Sequence, residues 1–199
     1  MTALPIDPIL PDLMDALRTH SRAVLQAPPG AGKTTRVPLA MLDANLTTGR
    51  ILMLEPRRLA ARAAAERLAE TLSEPTGKTI GYRMRGETSV SKTTRVEVVT
   101  EGILTRMIQT DPDLTGIGAI IFDEFHERSL NADLGLALSW EIRSILRPDL
   151  IILVMSATLD AGPVAKMLDN APVLTSQGRA YPVTTHHLPR ALSKGIRIE

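Results

Sequence analysis

The sequence predicts an α/β fold in which helices sandwich a mostly parallel sheet. Short apolar runs alternate along the chain with longer amphipathic segments, which is the pattern of buried strands joined by covering helices. No internal repeat, low-complexity tract or Gly/Ser linker divides the 199 residues. A chain of this length buries about 70% of the surface that its unfolded form exposes, so one domain can supply its own core.

The individual elements follow from these two periodicities. Apolar runs predict strands at 23–26, 51–54, 80–84, 96–99, 119–122 and 151–155. Amphipathic segments between them predict helices at 9–19, 33–44, 59–72, 102–110 and 131–146. After Gln177 the pattern becomes irregular. We therefore expect one domain over 1–178, and a linker or the start of a second domain over 179–199.

Composition excludes several classes of protein. The chain has no cysteine, which removes disulfide scaffolds, thiolate zinc sites and cysteine nucleophiles. Its longest apolar run, 151–155, is far shorter than the roughly 20 residues of a membrane span, and Asp7 stands where a signal peptide would carry positive charge. We expect a cytoplasmic protein with no membrane partner.

Charge is unevenly distributed although the net charge is +1. Between residues 50 and 95 there are 10 basic and 5 acidic side chains. This excess predicts a basic patch that meets phosphates, and an ordinary solvated face is the alternative.

A glycine-rich turn lies between the first predicted strand and the next helix, with the sequence Ala-Pro-Pro-Gly-Ala-Gly-Lys-Thr over 27–34. Glycines let backbone N–H groups turn toward the β-phosphate of a nucleoside triphosphate, lysine adds a positive charge, and the threonine hydroxyl coordinates Mg²⁺. The predicted binding residues are Pro29, Gly30, Ala31, Gly32, Lys33, Thr34 and Thr35. The alternative is an ordinary strand-to-helix turn with a chance Gly-Lys-Thr.

Two carboxylates follow the predicted strand 119–122. A nucleotide site needs one carboxylate beside the metal and a group that orients the attacking water, and Asp123 and Glu124 supply both. His126 can report the state of the γ-phosphate to a neighbouring element. We predict catalytic roles for Lys33, Asp123, Glu124 and His126, and metal contacts for Thr34, Asp123 and Glu124. A helix cap or loop pair is the alternative.

Two hydroxyl residues, Ser156 and Thr158, follow the predicted strand 151–155. Their place after the carboxylate-bearing strand predicts a role in coupling, whereas Thr158 and Asp160 alone would suggest capping of the following helix.

These three motifs occur in the order and at the spacing of superfamily 2 helicases of the DEAH type, which this chain resembles. Further likeness lies in segments 55–62, 81–85, 98–102 and 123–129, and the resemblance covers about residues 4–189. A glycine-rich phosphate loop alone is shared by many kinases and GTPases, whereas the whole set is specific. The resemblance implies the first RecA-like domain of such a helicase, with ATP and Mg²⁺ as cofactors.

The resemblance also implies contacts with the backbone of single-stranded nucleic acid. Matching positions are Arg57, Arg58, Arg85, Thr100 and Gly102. The alternatives are solvated arginines for the first three and capping of a helix by Thr100. Phosphate contacts by themselves do not distinguish RNA from DNA, and the resemblance favours RNA.

Arg67 matches the family's arginine that stacks on adenine, and a surface ion pair with Glu70 is its alternative.

In this family a second RecA-like domain supplies arginine fingers and the other half of the nucleic-acid groove. No such element follows Thr158. We therefore expect this chain alone to bind ATP weakly and to hydrolyse it very slowly, since such arginines contribute about 10³ to 10⁵ in turnover. A nucleotide-gated clamp without turnover and a small-molecule kinase are the other functions considered.

Overall fold

One sheet organises the computed structural model, which describes residues 3–157 and 161–177. Its strands are β1 (Arg22–Gln26), β2 (Arg50–Glu55), β3 (Ile80–Met84), β4 (Glu87–Ser89), β5 (Val96–Thr100), β6 (Ile117–Phe122), β7 (Ile151–Ser156) and β8 (Val173–Thr175). The helices are α1 (Leu10–His20), α2 (Lys33–Asp43), α3 (Arg58–Thr71), α4 (Glu101–Thr110), α5 (Leu130–Ile145) and α6 (Ala161–Met167). Short 3₁₀ turns cover Asp7–Ile9 and Phe125–Glu127.

The strand order is β4-β3-β5-β2-β6-β7-β1-β8, and every neighbouring pair is parallel except β3 with β4. Parallel strands end at the same edge of a sheet. Gln26 therefore lies opposite Ser156, and Glu55 lies opposite Thr100. The prediction of a mostly parallel sheet is confirmed, and its carboxyl edge gathers the predicted motifs.

Side chains alternate between two apolar cores on opposite faces of the sheet. Leu25 packs in the core that α1, α2 and α3 cover, whereas its neighbour Val24 packs in the core under α4, α5 and α6. All positions of β6 and β7 are buried, as expected for strands with helices on both faces. The predicted sandwich of helices is confirmed.

Some boundaries differ from the sequence prediction. The first helix starts at Leu10 because Asp7–Ile9 forms a 3₁₀ turn. Helix α5 starts one residue earlier than predicted, after Ser129, whose hydroxyl accepts from the Ala132 N–H. The prediction missed β4, α6 and β8. The two strands are three residues long and the helix seven, too short for a clear periodicity.

The predicted segment 179–199 lies outside the described residues. Within 3–157 and 161–177, no helix has the combined length and apolar character that a membrane crossing requires.

Candidate nucleotide and nucleic-acid site

The glycine-rich loop joins β1 to α2 at the carboxyl edge. Gly30 and Gly32 have φ of +76° and +95°, a left-handed backbone that L side chains rarely adopt. The N–H groups of Gly30, Gly32, Lys33 and Thr34 have no hydrogen-bond acceptor among the described residues. Free amides at a helix N-terminus attract an anion, so this loop fits the phosphates of a nucleotide.

Two neighbouring segments hold the loop in place. The Ile6 N–H donates to the Ala31 carbonyl at 3.1 Å, and the Ala27 N–H donates to the Ser156 carbonyl at 2.9 Å. A Cβ placed on Gly32 would lie 2.6 Å from Leu4 Cδ1. This N-terminal support was not predicted, because apolar residues before the first helix carry no motif.

The predicted catalytic side chains meet beside this loop. Lys33 is 3% exposed, and its Nζ lies 2.8 Å from Glu124 Oε1. The Thr34 hydroxyl donates to Asp123 Oδ2 at 2.5 Å, across 89 residues of sequence. A buried charge is tolerated when it is paired, and each cation or hydroxyl here faces a carboxylate.

Glu124 sits at a strained point of the backbone. Its φ of +49° lies in the left-handed region, which is uncommon for residues other than glycine. Such conformations cluster at functional sites, where surrounding contacts hold them. Glu124 turns the chain from β6 into the 3₁₀ turn Phe125–Glu127.

His126 connects Glu124 with the segment after β7. Its Nδ1 accepts from the Ala157 N–H at 3.4 Å, and its Nε2 lies 3.3 Å from Glu124 Oε2. Because Nδ1 is an acceptor, the ring N–H is on Nε2 and faces the carboxylate. Ser156 is buried beside this contact, whereas Thr158 lies outside the described residues.

One buried carboxyl group that was not predicted, Glu55, lies at the end of β2. It is 3% exposed and next to Asp123. Burial, with the negative charge of Asp123, raises the pKa of Glu55 to about 9. Burial also raises the pKa of Asp123, although the Thr34 hydroxyl and Lys33 oppose that shift.

The pKa of about 9 makes Glu55 the carboxyl group of this pair that keeps a proton at neutral pH. Asp123 already accepts from Thr34 and from the Glu124 N–H, which favours its charged form. A carboxyl residue ending a buried strand next to another such strand was the signal that could have identified Glu55.

Predicted nucleic-acid residues lie at the start of α3. Arg57 precedes the first turn of this helix and Arg58 begins it, where cations are electrostatically unfavourable. The Arg58 side chain is exposed and has no ion pair or hydrogen bond with the residues that the structure describes. Arg57 is 73% exposed and binds Glu127 Oε1 at 2.9 Å.

A second group of predicted residues surrounds a cleft of about 210 Å³. Its lining residues are Arg85, Thr100, Gly102, Ile103 and Arg106. Thr100 makes no side-chain capping bond to α4, so the capping alternative does not account for its hydroxyl. Arg106 was not predicted, and its place one helical turn after Gly102 was the available signal.

Arg67 takes the arrangement that was its alternative. Its Nη1 lies 3.1 Å from Glu70 Oε2, and both side chains are about two-thirds exposed. Exposed pairs of this kind contribute at most about 1 kcal/mol, so the geometry leaves the guanidinium available to a ligand.

Comparison with known proteins decides the family. The sequence profile described as "DEAD/DEAH box helicase" matches residues 8–167. The chain belongs to this helicase family.

Individual relatives of this DEAD/DEAH box domain are described as helicases of RNA. This chain is 54% identical to the ATP-dependent RNA helicase HrpB of Escherichia coli K12, over 95% of this chain and 23% of that protein. It is 40% identical to the ATP-dependent RNA helicase HrpA of the same organism, over 94% of this chain and 14% of that protein. A putative ATP-dependent RNA helicase of Homo sapiens, DHX57, is 37% identical over 91% of this chain and 13% of its own length. The chain therefore spans under a quarter of each of these relatives.

The fold of this DEAD/DEAH box domain matches solved structures. The crystal structure of the E. coli DExH-box NTPase HrpB superposes with a TM-score of 0.87 at 55% identity, covering 92% of this chain and 23% of that one. The predicted RecA-like α/β fold is thereby confirmed.

Proposed function

We propose that this chain is the ATP-binding domain of an ATP-dependent RNA helicase. It binds MgATP at the glycine-rich loop and the phosphate backbone of a single RNA strand at the arginines of α3 and the β3–β4 turn. Efficient hydrolysis and unwinding require a second RecA-like domain. The observation that carries this proposal is the joining of Lys33, Glu124, His126 and Ala157 by successive contacts beside the free loop amides.

The loop fits a nucleotide with its magnesium ion. Thr34 and Asp123 bring oxygen donors, which Mg²⁺ prefers, next to amides that fit phosphate. Bound Mg²⁺ would neutralise charge on the β- and γ-phosphate oxygens. Thr34 and Asp123 would hold it, and Lys33 would add its charge at the phosphates.

Hydrolysis is assigned to Glu124. A water oxygen bonds to the γ-phosphorus while the bond from that phosphorus to the β–γ bridging oxygen breaks, releasing ADP and phosphate. The Glu124 carboxylate orients the water and accepts its proton. His126 fixes Glu124 from the other side, since its Nε2 lies 3.3 Å from Oε2. Its second nitrogen contacts Ala157, which supports a role for the 156–158 segment in coupling.

Strand binding is assigned to exposed cations and to the N-terminus of α4. Arg58 and Arg85 have no anionic partner among the described residues, and the cleft of Arg85, Thr100 and Gly102 has room for a phosphate. Contacts of this kind follow the backbone and read no base. The names of the relatives support RNA as the strand.

ATP hydrolysis, measured with and without single-stranded RNA, tests the proposal. The assay uses this chain and a longer chain that carries a second RecA-like domain. We expect RNA-stimulated turnover in the longer chain and very slow turnover in this one. Phosphorylation of a small molecule would favour a kinase, and ATP-dependent strand binding without turnover in the longer chain would favour a clamp.

Glu124→Gln in the longer chain separates binding from chemistry. It keeps the shape of the side chain and removes the base, so ATP binding should persist while turnover is lost. Normal turnover in this variant would contradict the assignment of Glu124.

A further inference from the structure

Arg57 differs from the other cations proposed to bind the strand. Its guanidinium is bound by the Glu127 carboxylate at 2.9 Å, whereas Arg58 and Arg85 have no ion pair within residues 3–157 and 161–177. A carboxylate and a phosphate use the same donors of a guanidinium. A phosphate that bound Arg57 would therefore compete with Glu127 for these donors.

Glu127 is joined to Glu124 by a short, well-anchored turn. The Glu127 N–H donates to the Glu124 carbonyl at 2.9 Å, which closes the 3₁₀ turn. Phe125 is 3% exposed and packs edge-on against Phe122, with 6.2 Å between the ring centroids. The Arg128 guanidinium covers the Phe125 ring at 5.5 Å. Glu124 and Glu127 therefore belong to one turn that the buried Phe125 ring anchors.

The other end of this turn carries the hydrolytic group. Glu124 contacts Lys33 at 2.8 Å and His126 at 3.3 Å. One short segment thus contacts the nucleotide loop through its first residue and the strand surface through Glu127.

We propose that Glu127 is a positioning residue that competes with strand phosphate for Arg57 and so links strand binding to the position of Glu124. The inference rests on the proposed function. Without a strand, Glu127 holds Arg57. A bound phosphate takes Arg57, releases Glu127, and removes one restraint on the turn that carries Glu124. Coupling of this kind is reciprocal, so nucleotide and strand each change the affinity of the other.

A double-mutant cycle on this chain tests the competition. The probe is a fluorescently labelled oligouridylate, and the variants are Glu127→Gln, Arg57→Ala and the pair together. Glu127→Gln should tighten binding by about two- to fivefold, the size of an exposed ion pair. In the Arg57→Ala background the same change should have no effect.

Glu66→Gln is the matched control. Glu66 forms an exposed pair with Arg62 at 2.9 Å and has no place in the proposed site. Glu66→Gln removes the same charge as Glu127→Gln. It therefore measures how much RNA binding tightens when the protein merely becomes less acidic. Equal effects of Glu127→Gln and Glu66→Gln, or an effect of Glu127→Gln that persists without Arg57, would overturn the competition.

Nucleotide affinity tests the link with Glu124. In the unsubstituted chain, saturating oligouridylate should shift the affinity for a fluorescent ATP analogue, and Glu127→Gln should reduce that shift. The same strand effect in both proteins, including none in either, would overturn the link. If the unsubstituted chain binds no oligouridylate at any salt concentration, the proposed function itself fails.

Discussion

The glycine-rich loop and the proposed strand surface use charge in opposite ways. At the loop, Lys33 is almost fully buried and its ammonium group contacts a carboxylate. At the proposed strand surface, Arg58 and Arg85 are exposed without an anionic partner among the described residues. Buried charges depend on their partners for stability, whereas exposed ones cost the fold little. Substitutions in the first region should therefore affect folding and nucleotide binding together, and those in the second should affect strand binding with little effect on folding.

Lys33→Ala should have the largest effect. It leaves Glu124 and the buried Asp123 without their cation. Breaking a buried pair costs roughly 3 kcal/mol, and the loop also loses its phosphate-binding charge. We expect a lower free energy of unfolding in urea and no detectable binding of a fluorescent ATP analogue. Unchanged unfolding would contradict the view that these charges support the fold.

Glu55→Gln should change how stability depends on pH. The pKa of Glu55 is raised from 4.5 to about 9, so between these values the folded chain keeps a proton that the unfolded chain has lost. The stabilisation is full at low pH and falls as pH rises toward 9, by up to about 1.4 kcal/mol per pH unit. Glutamine is neutral at every pH, so Glu55→Gln removes this loss of stability at rising pH.

Melting temperatures from pH 6 to 9 measure the effect of Glu55→Gln. The variant should be more stable than the unsubstituted chain at pH 8, with a smaller difference at pH 6. Parallel curves for the two proteins would show that Glu55 holds no extra proton.

Substitution by alanine should destabilise the fold to different extents at two glycines of the loop. Gly32→Ala forces a side chain into φ +95° and against Leu4, whereas Gly30→Ala at φ +76° meets no atom within 4 Å. The left-handed backbone costs roughly 1–2 kcal/mol in both, and the contact with Leu4 adds to it in Gly32→Ala. The melting temperature of Gly32→Ala should be lower than that of Gly30→Ala. The reverse order would contradict the described packing of Leu4.

Arg58→Ala should have the smallest effect on the fold. An exposed, unpaired side chain contributes within about 0.5 kcal/mol to stability. Loss of one phosphate contact should weaken oligouridylate binding and lower the slope of log affinity against log salt by about 1. Lys92→Ala, which removes an exposed cation outside the proposed surface, is the control and should leave the slope unchanged.

The sheet, and the meeting of the motif residues at one of its edges, were largely predictable because both depend on local patterns. Apolar runs predict the central strands, and motifs at strand ends meet at one edge once the strands are parallel. Short edge strands such as β8 lack that pattern. Glu55 was missed because its pKa depends on burial and on Asp123, which only the fold brings beside it.

The basic patch shows a different limit of the sequence. Most cations between residues 50 and 95 are paired: Arg50 and Arg83 share the buried Glu97, and Lys78 binds Glu74. A count of charges does not reveal which of them have partners. Four cations of this range, Arg58, Arg85, Lys92 and Arg95, have no ion pair among the described residues, and Arg58 and Arg85 are the two of these in the proposed strand surface.

Binding of both ligands to two variants tests the central claim most directly. Affinities for a fluorescent ATP analogue and for labelled oligouridylate would be measured with Lys33→Ala and with Arg58→Ala/Arg85→Ala. We predict that the first loses the nucleotide and, at a temperature where it is folded, keeps strand binding. The second should keep the nucleotide and lose most strand binding. If the arginine variant binds oligouridylate as tightly as the unsubstituted chain, the proposed division between the two regions is wrong.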